Sequence, residues 1–140
     1  MKPLILASAL LLSSCAAAPP PPAQGPGGGR ECGITASSDW AAWVNAMPRP
    51  NAKPTLIVTG KVTVPTGGYQ FAWRDMRVME SYPVQVAVEL DAIPPAGGTT
   101  QAVVTREVRG QWPIDPPVGS LTVHCGDTVL ARISPVEIAH

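Results

Sequence analysis

Few residues of this chain belong to the types that perform catalysis or bind metal ions. Its two histidines are His124 and His140, and no C-x-x-C or H-x-x-x-H spacing predicts a zinc site. His124 and Cys125 are adjacent, so on a strand their side chains point to opposite faces. His124 is the one internal candidate for a general base, and no G-x-S-x-G sequence supplies a nucleophile. We predict no metal site, no cofactor and no catalytic site, and therefore a protein that is not an enzyme.

Two carboxylates, Glu89 and Asp91, are two residues apart and would share one face of a strand. A pair of carboxylates can hydrolyse glycosidic bonds when both lie in a cleft at a defined separation. Here the neighbouring Val88 and Leu90 form the apolar face of the same segment. We therefore expect Glu89 and Asp91 to lie on a solvated surface.

Aromatic side chains are the main candidates for contact with a partner. Tyr69, Phe71 and Trp73 alternate along one segment, so they share a face of a strand. We expect this face to line the core, because a small domain needs large apolar side chains inside it. An exposed stripe that marks a partner surface is the alternative. Trp112 lies beside Pro113 in a predicted loop and is the stronger candidate for an exposed contact.

The N-terminus has the features of an export signal. Lys2 precedes an apolar run, Leu4–Leu12, that is too short to span a bilayer as a helix. The run ends in Leu12-Ser13-Ser14-Cys15, which resembles the lipobox of bacterial lipoprotein precursors. The resemblance implies cleavage before Cys15, lipidation of the Cys15 thiol and anchoring in a membrane. Ala16 in place of an Asp implies, in a Gram-negative host, an outer-membrane location facing the periplasm.

The three cysteines fit this interpretation. An odd number of cysteines in an exported protein needs an explanation, and lipidation accounts for Cys15. Cys32 and Cys125 then remain as one pair in an oxidising compartment, where we predict a disulfide between them. Two buried thiols that do not meet are the alternative.

Composition divides the chain into three segments. Residues 1–14 are the predicted signal peptide, and residues 15–31 hold the lipidated cysteine and a tether rich in Ala, Pro and Gly. Such a tether cannot bury enough apolar surface to fold, and its sixteen residues after Cys15 reach at most ~55 Å. Residues 32–140 are predicted to form one domain.

A short helix is predicted at the start of this domain. Trp40, Trp43, Val44 and Met47 have the i, i+3, i+4, i+7 spacing of one helical face. The residues just before them, 37–39, are good N-caps, and Pro48 would end the helix. A helix of two to three turns is stable only when packed, so we expect its aromatic face to be buried.

The rest of the domain is predicted to form about six strands separated by turns rich in Pro and Gly. The predicted strands are Thr55–Val64, with a bulge at Gly60, then Tyr69–Met79, Val84–Leu90, Gln101–Val108, Ser120–Cys125 and Thr128–Ile133, the last two joined by a tight turn at Gly126-Asp127. This pattern favours a mostly β fold, a small antiparallel sandwich or barrel with one short N-terminal helix. A single antiparallel sheet with the helix on one face is the alternative.

Charge argues against nucleic acid as a partner. Ten basic and ten acidic residues give a formal net charge of zero, with no basic run to bind phosphates. We expect an envelope lipoprotein that contacts the membrane through its anchor and acts by binding an envelope protein or by structural support. A periplasmic inhibitor of a lysozyme or protease is the alternative. In that case the proline-stiffened stretch Gly110–Val118 would protrude, whereas in a supporting role it would pack flat.

Overall fold

A computed structural model describes residues 31–97 and 101–140, and these residues form a β-sandwich of two packed sheets. The predicted signal peptide, the Cys15 anchor and the tether up to residue 30 lie outside the described residues. The strands are β1 Ala36–Asn45, β2 Thr55–Val64, β3 Gln70–Trp73, β4 Arg77–Met79, β5 Val84–Ile93, β6 Val104–Pro113, β7 Val118–Cys125, β8 Thr128–Ile133 and β9 Glu137–Ala139. The described residues contain no helix, and hence none long and apolar enough to cross a membrane.

The two sheets are mixed rather than purely antiparallel. Sheet one has the order β6-β2-β1-β9, and sheet two has the order β3-β5-β7-β8, with β4 also paired to β5. Most neighbours are antiparallel, but β1 with β9 and β5 with β7 are parallel. The prediction of a mostly β sandwich is confirmed, whereas the wholly antiparallel arrangement was wrong. Period-two alternation gives the faces of a strand and does not give the direction of its neighbour.

The predicted helix is also wrong, because these residues belong to β1. Trp40 and Val44 face the core, whereas Trp43 pairs with Ile57, and neither of these two belongs to the core clusters. Met47, expected on the buried face, is 52% exposed. Pairing of β1 with β2 on one side and β9 on the other overrides a local spacing that also suits a helix.

An irregularity in β1 explains part of this error. The register between β1 and β2 shifts between Ser38 and Ala41, so Asp39 and Trp40 together lie opposite Gly60. This is a β-bulge, and Asp39 takes a positive φ of 55° there. The bulge predicted at Gly60 is therefore on the partner strand. Gly60 is needed because a Cβ at this position would lie 2.3 Å from the Trp40 ring.

The other predicted strands are confirmed in position, and some of them have shifted ends. β2 and β8 have the predicted bounds, and β7 is joined to β8 by the predicted tight turn at Gly126 and Asp127. The segment 69–79 divides into β3 and β4, and the strand predicted from residue 101 runs instead from Val104 to Pro113.

The core lies between the sheets and is built mainly from valine and leucine. Val44, Leu56 and Val58 of sheet one meet Val86, Leu121 and Val123 of sheet two in one cluster of buried side chains. A second cluster includes Val62, Leu90 and Cys125. The inward and outward positions alternate along β2, β5 and β7, as expected for strands that bury one face.

Candidate functional site

The disulfide fixes where the polypeptide enters the sandwich. Cys32 and Cys125 are bonded, with their Cα atoms 5.3 Å apart, which confirms the predicted pairing. Cys125 is the last residue of β7, a central strand of sheet two. We call this end of the sandwich, with Glu31 and the Cys32–Cys125 bond, the proximal end. The ends of β2 and β5 lie here too, because Thr35 N–H donates to Thr63 O and β5 runs parallel to β7.

Four loops therefore meet at the opposite, distal end. They are residues 46–54 between β1 and β2, 80–83 between β4 and β5, 114–117 between β6 and β7, and 134–136 between β8 and β9. We call them the distal loops. They contain seven of the 17 prolines, namely Pro48, Pro50, Pro54, Pro83, Pro116, Pro117 and Pro135. All three cis X-Pro bonds of the described residues lie in them.

Hydrogen bonds tie the distal loops to one another and to neighbouring strand ends. The bonds are Ile114 N–H to Pro54 O at 2.9 Å, Val84 N–H to Pro117 O at 3.3 Å, Ala46 N–H to Ala139 O at 2.9 Å and the Ser134 hydroxyl to Gly119 O at 3.3 Å. Proline fixes φ, so these loops have little conformational freedom to lose when a partner binds.

Apolar side chains of the distal end are exposed. Tyr82 is 88% exposed, and Met47 also points into solvent. Met47 lines an open depression of about 390 Å³ together with Pro48, Arg49 and Pro54 of the same loop. Nearby on β4, Val78 and Met79 are about half exposed. Exposed aromatic and methionine side chains are common where proteins bind proteins. The exposure of Tyr82 was not predicted because its segment, Glu80-Ser81-Tyr82-Pro83, has no periodic pattern.

The four aromatic residues that were candidates for contact lie mostly against the core. The Trp73 ring packs edge-on against Trp40 at 6.5 Å and Trp112 at 5.3 Å between ring centroids. Trp112 lies in β6 rather than in a loop, and it packs over Gly110, where a Cβ would lie 2.3 Å from its ring. Tyr69 and Phe71 pack on the second core cluster, as expected.

One side of these aromatic residues nevertheless faces a groove that is open to solvent. Tyr69, Phe71 and Trp73 line a groove of about 490 Å³ between β3 and β6, with Arg106 and Arg109 on its other side. The guanidinium of Arg106 reaches across and donates to Gly67 O at 2.8 Å. This hydrogen bond therefore crosses the groove close to its aromatic side chains.

Charged side chains form a network on the outer face of sheet two. Arg74 Nε donates to Asp91 at 2.7 Å and lies 3.8 Å from Glu89, which also lies 3.7 Å from Arg77. The hydrogen bond to Asp91 and the charges of both carboxylates raise the pKa of Arg74, while desolvation opposes them. His124 is placed beside Glu89 by the register of β5 and β7. The arginine partners, Arg74 and Arg77, remain exposed to solvent, so these ion pairs contribute little to stability.

A second ion pair spans the bulge of sheet one. Lys61 Nζ lies 3.1 Å from Asp39, and the hydrogen bond and charge of Asp39 raise the pKa of Lys61. Glu107 of β6 is paired with Lys61 in the register and adds to this effect. Among residues 31–97 and 101–140, no three His, Cys, Asp or Glu side chains are grouped as a metal site would need.

In comparisons with known proteins, no protein-family model, curated protein or solved structure matches the chain.

Proposed function

We propose that this protein is a lipid-anchored envelope protein, held at the outer membrane through Cys15, that binds a partner protein with its distal loops. The single observation that carries the proposal is the position of these loops. They meet at the end of the sandwich opposite Glu31, the last residue of the predicted tether and the first that the structure describes. A domain attached to a membrane at one end presents its other end to the periplasm.

The anchor part of the proposal depends on the sequence Leu12-Ser13-Ser14-Cys15 behind a short apolar run. Cys32 follows the predicted tether closely, and its bond to Cys125 holds the attachment point on a central strand. A force on the tether would therefore act on the body of the sandwich, since Cys32 directly follows Glu31, the last residue of the predicted tether.

The binding part depends on the chemistry of the distal end. Tyr82 offers a rigid amphipathic side chain, and the Met47 depression offers a small apolar recess. Aromatic anchors in and beside such recesses commonly dominate the energy of protein interfaces. The acidic and basic side chains at this end, Arg49, Lys53, Glu80 and Asp115, are balanced in sign. This balance favours a protein partner over an anionic polymer.

The inhibitor alternative receives less support. An inhibitor would be expected to project the stretch Gly110–Val118 into an active site. Instead Gly110 to Pro113 belong to β6, and Ile114 and Val118 are buried at 7% and 3% exposure. Asp115, Pro116 and Pro117 between them are exposed, but Pro117 O accepts a hydrogen bond from Val84 N–H at 3.3 Å, which holds the stretch against the start of β5. This arrangement favours partner binding or support.

Site-specific photocrosslinking in intact cells tests the proposal. A photoreactive phenylalanine analogue at Met47 or Tyr82 should give a crosslinked species of defined mass, because both side chains are exposed at the distal end. Val129, exposed on β8 next to the proximal Gly126 turn, is the matched control position and should give none. Absence of a product at both distal positions, or the same product from position 129, would contradict the proposal.

A further inference from the structure

Sheet one has an open edge that no described strand covers. β6 lies at this edge, and among the described residues no strand pairs with it on the side away from β2. It is ten residues long, so it presents a long row of main-chain donors and acceptors. Which residues supply that row can be read from the register.

Main-chain groups of the odd-numbered residues of β6 point to the open edge. Ile114 N–H donates to Pro54 O, which continues the pairing of Trp112 with Leu56 by two residues. Because hydrogen-bonded pairs recur at every second residue of an antiparallel ladder, the even-numbered residues of β6 bond to β2. The edge row is therefore formed by Thr105, Glu107, Arg109 and Gln111.

We propose that β6 pairs antiparallel with β6 of a second copy of this chain, centred on Val108, to form a dimer with a continuous eight-stranded sheet. This register places Glu107 of each copy opposite Arg109 of the other copy. It also places Thr105 opposite Gln111, so four hydrogen-bonded pairs form, with about eight main-chain bonds. Such two-fold pairing is self-complementary and closed.

Charge selects this register over its neighbours. Only registers in which two odd-numbered residues face each other use the edge row. Shifting the centre to Glu107 or to Arg109 would bring two like charges directly opposite each other, which is destabilising. The register centred on Val108 instead gives two pairs of opposite charge, and both side chains point outward where they can meet.

The same row of charges continues across the sheet. Asp39 pairs with Lys61 at 3.1 Å, and Lys61 is the neighbour of Glu107 on β2. Within the described part of the chain, Arg109 has no acidic neighbour on β2, where it pairs with Thr59. In the dimer, Arg109 of the second copy would lie beside Glu107. The charges would then alternate in sign across four neighbouring strands, from Asp39 on β1 through Lys61 and Glu107 to Arg109 of the second copy.

Charged residues on edge strands usually prevent pairing. Here Glu107 and Arg109 have opposite signs at a spacing of two, which favours the register centred on Val108 over the two registers next to it. Arg106, whose side chain is on the other face, is turned away toward Gly67 and leaves the edge uncovered.

The dimer is compatible with two anchors in one membrane. In an antiparallel pair the two proximal ends lie about 33 Å apart, the length of a ten-residue strand. Each predicted tether reaches up to ~55 Å, which exceeds this separation, so both anchors can insert while the strands stand upright and the distal loops of one copy face the periplasm. The distal loops lie at the strand ends and stay uncovered, so the dimer does not depend on the function proposed above.

Charge reversal and mixing test the dimer. For the full-length lipoprotein purified in detergent, native mass spectrometry should show a dimer, and Glu107→Arg or Arg109→Glu alone should raise its Kd about tenfold or more. An equimolar mixture of the two single variants should recover a heterodimer, because opposite charges then face each other again. Control variants Asp127→Arg and Arg132→Glu, exposed at β8 and away from the edge, should leave the Kd unchanged. A wild-type protein that stays monomeric at tens of micromolar, or a dimer insensitive to both reversals, would overturn the proposal.

Thiol crosslinking in membranes gives a readout that leaves these charges in place. The double variant Thr105→Cys/Gln111→Cys should form a covalent dimer on oxidation, because these positions face each other across the two-fold axis. Thr105→Cys alone should not, since the two copies of residue 105 are then about 20 Å apart. Equal crosslinking of the single and double variants would contradict the register.

Discussion

Close contacts between tryptophan rings and glycines shape the interior of this sandwich. Trp40 enters the core at the bulge of β1 and lies over Gly60, while Trp112 lies over Gly110. Trp73 packs edge-on between the two rings. Large rings are accommodated between the sheets because the positions beneath them lack a Cβ.

Replacing Gly60 by alanine should destabilise the protein. The added Cβ would lie 2.3 Å from the Trp40 ring, so the ring or the bulge must move, at a cost of about 1–3 kcal/mol. Urea unfolding of the disulfide-intact protein measures the change. Gly67→Ala is the matched control, because its Cβ would meet Val104 at an ordinary 3.6 Å. Equal stabilities of the two variants would show that the Trp40 contact does not constrain the backbone.

Trp112 should contribute to stability rather than to partner binding. Its ring packs on the main core cluster and against Trp73, so Trp112→Ala should lower the free energy of unfolding by about 3 kcal/mol. Tyr82→Ala, at an exposed site, should change it by less than about 0.5 kcal/mol. If Trp112→Ala left the free energy of unfolding nearly unchanged and abolished a crosslink to a partner, Trp112 would be a surface contact instead.

At the scale of elements, β1 shows how one sequence pattern can fit two structures. Trp40 and Val44 are four apart, which places them on one face of a helix and also on one face of a strand. Trp43 and Met47 distinguish the two, because a helix would bury them with Val44. In the strand, Val44 faces the core and Trp43 faces outward beside Ile57.

Alanine substitutions along β1 should follow the strand pattern. Val44→Ala should cost about 2 kcal/mol, because two buried methyl groups are lost from a fully buried site. Met47→Ala should change stability by less than about 0.5 kcal/mol, since Met47 is half exposed. Both values come from denaturant unfolding. A cost at Met47 as large as that at Val44 would support the helix instead.

Sequence patterns predicted the strands that alternate cleanly and failed where pairing partners decide. β2 and β5 are rich in β-branched residues with one buried face, and both were located. The short β9 pairs with β1, which is distant in sequence, and β1 has this same strand as one of its two neighbours, so local composition predicts neither strand. For the candidate site, the sequence shows the prolines of the distal loops. It does not show that these loops lie at the same end of the sandwich, because that depends on strand directions, which include two parallel pairings.

At the scale of the whole molecule, one disulfide joins residues 93 apart in sequence and closes most of the sandwich into a loop. It connects the entry point of the chain to a central strand of sheet two. Closing a loop of this length restricts the unfolded chain, which stabilises the folded state by about 2–4 kcal/mol.

Removing the disulfide should therefore lower stability while leaving the sheets intact. We expect Cys32→Ala/Cys125→Ala to lower the free energy of unfolding by about 3 kcal/mol with an unchanged far-ultraviolet circular dichroism spectrum. Wild-type protein kept in a reductant should show the same loss of stability as this variant. Equal unfolding midpoints for wild type and variant would mean that the bond does not restrict the unfolded chain.

Anchoring through Cys15 is the central claim, because it gives the two ends of the sandwich their different roles. The intact mass of the protein extracted from membranes tests it most directly. We predict a chain that begins at Cys15, carries a diacylglycerol and an N-terminal acyl group, and lacks residues 1–14. We also predict that a Cys15→Ser variant lacks the lipid. A mature protein that begins elsewhere, or one with an unmodified Cys15 thiol, would contradict the account.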